Sequence, residues 1–173
     1  MEALIRLRPF DRPDFEKLIS WIDNENLLVQ VAGRQLTFPV SIEQLINSQL
    51  DPRRHAFSIV DIASSRPVGH CELYLLDQSA KIDRLIIGDP AMKGKGLCKA
   101  AIHLLLDYGF NVLNQQRIEL NVFDWNKAAI RCYENAGLRK NFDGNMVFEM
   151  NGEQWTAFNM SIDRCTYRAK IPG

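Results

Sequence analysis

At 173 residues the chain is long enough for one sizeable core and too short for two comfortable domains, and its 46% hydrophobic and 24% charged content is that of a globular protein. Twenty-one Lys+Arg balance 21 Asp+Glu, so the formal net charge is zero, which argues against a nucleic-acid partner held by bulk electrostatics. Four widely spaced cysteines, Cys71, Cys98, Cys132 and Cys165, offer no metal or Cys-x-x-Cys spacing, and neither a leader nor an apolar run of about 18 residues occurs; we expect reduced thiols, a cytoplasmic setting, no metal and no membrane partner.

Residues 4–8 alternate as a first strand, and Pro9 and Pro13 bracket a turn in which Asp11 or Asp14 can cap a helix. Phe15, Leu18, Ile19 and Ile22 then recur at helical spacing, with Trp21 near the end. Signals between residues 24 and 39 are mixed. Ser41 looks like an N-cap, with Ile42, Leu45, Ile46 and Leu50 on one face of a second helix. Residues 55–63 and 68–76 read as a hairpin turning at 64–67, and 80–88 as a further strand. Its run Leu85, Ile86, Ile87 fits a central strand buried on both faces.

A proline-marked break and a glycine-rich turn, Lys93-Gly94-Lys95-Gly96-Leu97-Cys98, then open a long helix. Helix N-termini present unpaired N–H groups and the positive end of the macrodipole, so two lysines at such an entry suit phosphate oxygens. A solvated surface loop is the plainer alternative. The spacing is wrong for a P-loop, because Gly88 and Gly94 enclose five residues and Lys95 is followed by Gly96. It is also wrong for a dinucleotide fingerprint, whose third glycine position is Lys99.

Over 97–113, Lys99, His103, Asp107, Asn111 and Asn114 trace one polar stripe on an otherwise apolar helix, and His103 on it is expected to be solvated. Residues 117–123 alternate strictly as a half-buried strand. Asn126 can cap the next helix, which buries Ala129, Ile130, Tyr133 and Ala136 and stops at Gly137. Two last strand candidates, around 138–142 with 146–150 and around 155–162, flank the hairpin signal Asn151-Gly152, and 168–173 look frayed.

The turn resembles the Gln/Arg-x-x-Gly-x-Gly/Ala signature with which GCN5-related N-acetyltransferases (GNAT) hold the pyrophosphate of acetyl-coenzyme A. Lys93 stands where that family usually has Gln or Arg, and Cys98 where it has Gly or Ala. About thirty residues on, Asn126, Ala129, Tyr133, Glu134, Gly137 and Leu138 match the family's second motif, Asn-x-x-Ser/Ala-x-x-x-Tyr-Glu-x-x-Gly-Phe. With Arg66-Pro67-Val68-Gly69 and Asn159-Met160-Ser161-Ile162, the chain is most similar to the RimJ/RimL-type branch, which acetylates ribosomal-protein N-termini. Without the resemblance, Asn126 is an adequate N-cap and Tyr133 an adequate core aromatic.

The resemblance implies an α+β (α/β three-layer) fold: a single GNAT-like domain over 1–166, with a mixed, mostly antiparallel sheet of about six to seven strands flanked by about four helices, and a tail over 167–173. It implies acetyl-CoA as co-substrate, its pyrophosphate on Lys93, Gly94, Lys95, Gly96, Leu97 and Cys98, and its pantetheine along a splayed strand at Leu85, Ile86 and Ile87. Asn121, Asn126, Ala129 and Tyr133 complete the cofactor side.

The implied reaction is direct acetyl transfer to a primary amine in a ternary complex, without a covalent enzyme intermediate and with no nucleophilic role for Cys98 or Cys132. Holding both reactants together lowers the barrier by several kcal/mol, on the order of 7–11 at best. A backbone N–H near Ile86 or Ile87 would meet the oxyanion, and Tyr133 would protonate the departing sulfur. Asp83 is the first choice for the base, although Asp83 and Arg84 also fit a surface ion pair; Glu72 and His70 are alternatives. Trp21, Phe38 and Phe57 fit the core better than the acceptor cleft. The acceptor is either a protein N-terminus or a small amine such as a polyamine, aminosugar or aminoglycoside, and the protein a monomer or a homodimer through exposed edge strands such as 155–162. A non-catalytic acyl-CoA-binding module with the same fold is the alternative.

Overall fold

A computed structural model describes residues 4–170. Seven strands, β1 (Ile5–Pro9), β2 (Arg54–Asp61), β3 (Pro67–Leu75), β4 (Ser79–Ile87), β5 (Arg117–Phe123), β6 (Arg139–Met150) and β7 (Glu153–Asp163), form one sheet in the order β1-β2-β3-β4-β5-β7-β6. Every pairing is antiparallel except that of β4 with β5. The helices among the described residues are α1 (Phe15–Trp21), α2 (Glu25–Ala32), α3 (Ile42–Gln49), α4 (Leu97–Asp107), α5 (Lys127–Ala136) and α6 (Arg164–Lys170).

That is six helices instead of about four. The first addition, α2, lies in the stretch with mixed signals. Its N-cap is ordinary, with Asn24 accepting from the Leu27 N–H at 2.8 Å, and the chain leaves through Gly33 at φ 59° and ψ −133°, a backbone that glycine alone adopts readily. The second, α6, starts where β7 ends, and Tyr167 stacks on Phe110 at 4.8 Å, so the tail expected from residue 167 is helical up to Lys170. Residues 171–173, like 1–3, lie outside the described residues.

The sheet is the middle of three layers. On one face α4 lays Leu97, Ala101, Ile102, Leu105 and Leu106 against Ile59, Leu73, Ile118 and Met160, and α5 adds Ile130, Tyr133 and Ala136. The polar stripe of α4, His103 included, faces water. On the other face Phe15 and Leu18 of α1, Leu28 and Ala32 of α2 and Leu45 of α3 form a second core with Phe10 and Ile22. Each buried leucine or phenylalanine contributes about 1.5–3 kcal/mol to holding these layers together. Phe57 is buried against Tyr108, Trp21 is half-buried, and Phe38 is exposed.

Three expectations need correction. Residues 155–162 are no edge, because β7 runs between β5 and β6; the edges of the sheet are β6 and β1. Leu85, Ile86 and Ile87 are half-buried, because β5 pairs with β4 only over Ser79–Lys81 and leaves the rest of that side uncovered. Asp83 and Arg84 are no surface pair: both are buried within a charged network. The turn before α1 is capped as expected: Asp11 stands at the N-cap and its N–H donates to the Asp14 carboxylate at 3.1 Å, which is buried and also takes Arg8 at 2.8 Å and the Ser58 hydroxyl at 2.8 Å.

Candidate active site

The parting of β4 from β5 opens a recess in the face of the sheet. Parallel strands so joined need a crossover, here α4, and once the short ladder Ser79–Lys81 with Arg117–Glu119 ends the two strands separate. A cleft of about 290 Å³ fills the gap. Its walls are the end of α2 and the turn after it (Val29 to Gln35), β4 from Lys81 to Leu85, β5 from Leu120 to Phe123, Met146, Phe148 and Ala157 of the last hairpin, and Tyr133 of α5.

β4 is itself irregular along this wall. Arg84 has φ 47°, and the pairing with β3 jumps from Glu72 opposite Asp83 to His70 opposite Ile86. The bulge takes Arg84 and Leu85 out of the ladder. Of the three β4 residues assigned to the pantetheine, Leu85 lines the cleft, whereas Ile86 and Ile87 pair with His70 and Gly69 and lie beyond its lining. Asn121 lines it too, accepting from Asn159 Nδ2 at 3.0 Å.

Beyond the strand, Asp89 accepts from the Ala91 N–H at 3.0 Å to shape a short turn, and the chain passes Lys93 to Gly94 and Gly96 at φ 77° and 76°. Only glycine adopts that backbone without strain. A Cβ at either glycine would meet nothing within 4 Å, so the turn is open. Gly96 precedes α4 without a side-chain cap, leaving the first-turn amides of Leu97, Cys98 and Lys99 facing outward between exposed Lys93 and Lys95. Such a turn has the geometry and charge that suit an anion.

Tyr133 comes from α5, whose start is fixed by Asn126 accepting from the Ala129 N–H at 3.2 Å. Asn126 and Ala129 are thus brought together as a cap, outside the cleft lining, with the Asn126 Nδ2 donor left over. Burial, and then Cys98 and Cys132 nearby, push the Tyr133 hydroxyl's pKa upward, so it stays neutral. The two cysteines face each other across α4 and α5 with sulfurs 3.6 Å apart.

Behind the β4 wall lies a network that sequence patterns did not reveal. Glu72 is buried; it bonds His70 Nε2 at 2.9 Å and Arg84 at 3.3 Å, and pairs closely with Arg54. Burial draws the Glu72 pKa up, but the His70 hydrogen bond and the charges of His70, Arg84 and Arg54 outweigh it and hold the carboxyl at about 2. Glu72 is therefore a poor base. Asp83 faces the cleft, with Oδ2 taking Gln35 Nε2 at 2.7 Å and Arg54 at 3.6 Å, and Oδ1 near Lys81 at 4.0 Å. The Asn24 and Gly33 caps were the legible signal for the Arg34 and Gln35 wall; the bulge at Arg84 had none.

The family model described as "Acetyltransferase (GNAT) domain" matches residues 5–139. Among curated proteins, the spermidine N(1)-acetyltransferase of Vibrio cholerae serotype O1 is 26% identical over 172 residues, covering 96% of this chain and 97% of that protein. Its Escherichia coli K12 namesake is 27% identical over 174 residues, covering 98% and 92%. Among solved structures, the V. cholerae spermidine N-acetyltransferase in complex with CoA and spermine superposes with a TM-score of 0.82 at 27% identity, over 96% of this chain and 99% of that one.

Proposed function

The chain belongs to the GNAT acetyltransferase family and is an acetyl-CoA-dependent N-acetyltransferase, and from that premise we propose that it moves the acetyl group in one step onto the primary amine of a small molecule held in the β4/β5 cleft. The observation that carries this reading is the cleft itself, with Tyr133 on one wall, Asp83 on another and the open glycine turn at the entrance to α4.

The pyrophosphate lies on the amides of Leu97, Cys98 and Lys99 with Lys93 and Lys95 beside it, and Gly94 and Gly96 give the backbone its close approach. The pantetheine runs along Leu85 into the gap, with Asn121 and the Asn126 Nδ2 on its other side. A backbone N–H of β4 at or next to the bulge meets the thioester oxygen. The amine nitrogen attacks the carbonyl carbon, the carbon–sulfur bond breaks, and the neutral Tyr133 hydroxyl donates to the departing sulfur and protonates it. The amine's proton leaves towards Asp83 through water.

The likeness to spermidine acetyltransferases supports a small-molecule acceptor over a protein N-terminus. The RimJ/RimL likeness rests on residue patterns alone. A cytoplasmic setting belongs to the same proposal, supported by four cysteines that are all free. No helix among the described residues is long and apolar enough to cross a membrane.

Calorimetry with acetyl-CoA, followed by thiol release over a panel of amines, tests the reading. Tyr133→Phe is expected to keep acetyl-CoA affinity and lose roughly 10²-fold or more in kcat. Full kcat in that variant would remove Tyr133 from the mechanism, and failure to bind acetyl-CoA would remove the site.

A further inference from the structure

Resting on the cleft assignment above, we infer that the acceptor is a primary amine that also carries a carboxylate, whose negative charge is met by Arg34 and Lys81, and that the charges of the same wall favour it over a polyamine.

The cleft's ionisable lining is Arg34, Lys81, Asp83 and Arg84 besides Tyr133: three cations against one carboxylate. A primary amine arrives as an ammonium ion, and Asp83 is the single carboxylate present to receive it. Even Asp83 is shared, since Gln35, Arg54, Lys81 and the Arg84 N–H all approach its oxygens. A second or third ammonium on the same molecule would meet only cations, and in a partly desolvated cleft like charges a few ångströms apart repel strongly.

No further carboxylate is among the residues that line the cleft. Glu72 is buried and already bound by His70, Arg54 and Arg84. In the neighbouring recess, which shares Gln35 and Arg84 with the cleft, the only carboxylate is Asp51. Arg53 grips Asp51 through two nitrogens at 3.0 Å each, and the Tyr74 hydroxyl adds a bond at 3.0 Å. The α2 helix brings no acid to the wall; its lining residues are Val29, Gln30, Val31 and Ala32. Glu25 lies at the far end of that helix and is exposed.

The cations, by contrast, keep donors to spare even where they are paired. The Nε donors of Arg54 and Arg84 are buried without a partner. Arg34 is anchored by one nitrogen on the Glu149 carbonyl at 2.6 Å, which holds its guanidinium at the mouth. Lys81 lies 4.0 Å from Asp83 and pairs with Glu119 at the last position before the gap between β4 and β5 opens. An acceptor with an ammonium at Asp83 and a carboxylate between Arg34 and Lys81 satisfies both ends, and a guanidinium fits a carboxylate through paired donors.

The test uses the full chain with acetyl-CoA and follows thiol release from four-carbon acceptors that differ only in their far end (4-aminobutanoate, butylamine and 1,4-diaminobutane), beside the common α-amino acids and spermidine. The expected order of kcat/KM is carboxylate-bearing above neutral above dicationic, with steps of about fivefold to tenfold. Arg34→Glu and Lys81→Glu are both made on side chains that reach solvent. Each should lower kcat/KM for the carboxylate-bearing amine by about tenfold and raise it for 1,4-diaminobutane, with acetyl-CoA affinity unchanged. Spermidine or the diamine outrunning every carboxylate-bearing amine overturns the inference while leaving the acetyltransferase cleft standing. A selectivity order that neither reversal moves overturns it too. Loss of acetyl-CoA binding in the wild-type protein would instead strike the cleft assignment itself.

Discussion

The indole of Trp21 lies directly on the α-carbon of Gly88, so close that a Cβ at Gly88 would stand 1.9 Å from the Trp21 ring. This contact ties the end of α1 to the point where β4 ends and the chain heads for the glycine turn. Gly88→Ala must push the ring away or move the strand end, whose Gly88 N–H bonds the Val68 carbonyl at 2.9 Å. The expected cost is about 1–3 kcal/mol in urea unfolding, with weaker acetyl-CoA binding because the turn follows the strand. Trp21→Ala removes the obstacle, so the double variant should lose less than the two single losses added.

Asn126 can be separated into its two ends. Its oxygen caps α5 through the Ala129 N–H, so Asn126→Ala should lower stability by about 1 kcal/mol. Asn126→Asp keeps a capping oxygen but removes the Nδ2 donor and adds charge beside a polyanionic co-substrate. It should fold with unchanged stability and bind acetyl-CoA more weakly. Calorimetry that finds full affinity in Asn126→Asp would leave Asn126 with the cap alone.

What the sequence disclosed follows from what local patterns encode. Strict alternation in 117–123, the Ser41 and Asn126 caps and the Gly137 stop are decided by neighbours within a few residues, and each stands where expected. The glycine turn was legible because positive φ demands glycine at Gly94 and Gly96. α2 was obscured by its eight-residue length and by Val29 and Val31, although its caps were in view. The exposure of Leu85 to Ile87 was not legible, because it depends on where a partner strand departs. Nor was the burial of Glu72, Arg54, Asp83 and Arg84, which lie far apart in sequence and meet only through strand register and the bulge at Arg84.

Glu72 makes the fold sensitive to acid. Its folded pKa, about 2, lies below the ordinary value of 4.5 that the unfolded chain has. Its contribution is therefore fully present above pH 4.5 and is lost as pH falls from there through about 2, a loss on the order of 3 kcal/mol. Urea midpoints at stepped pH should decline over that window. Glu72→Gln should start about 3–5 kcal/mol lower at neutral pH, because Arg54 and Arg84 lose their buried counter-charge, and should decline less steeply between pH 4.5 and 2. An equal slope in both proteins would mean that Asp14 and the other low-pKa carboxylates account for the acid sensitivity.

Cys98 and Cys132 give the glycine turn a chemical handle. Their sulfurs are 3.6 Å apart, one in the first turn of α4 and the other on α5. Their shared hydrogen bond, with burial, raises the pKa of Cys98, while the same bond, against burial and with help from Lys99, lowers that of Cys132. Cys132 is thus the first of the two to become a thiolate and the attacking sulfur towards an oxidant. With diamide, the Cys132 thiolate adds to the azo bond, Cys98 displaces the hydrazine, and the protein loses two hydrogens. The sulfurs must then close from 3.6 Å to about 2.05 Å, which pulls the first turn of α4 and its outward amides towards α5. The expected result is a mass loss of about 2 Da, two fewer titratable thiols and weaker acetyl-CoA binding, all reversed by dithiothreitol and all absent in Cys132→Ala. Cys98→Ala restores the small residue usual at that position of the turn, so it should bind acetyl-CoA at least as well as the wild type while becoming insensitive to diamide. Four titratable thiols remaining after treatment would mean that packing between α4 and α5 holds the sulfurs too firmly to react.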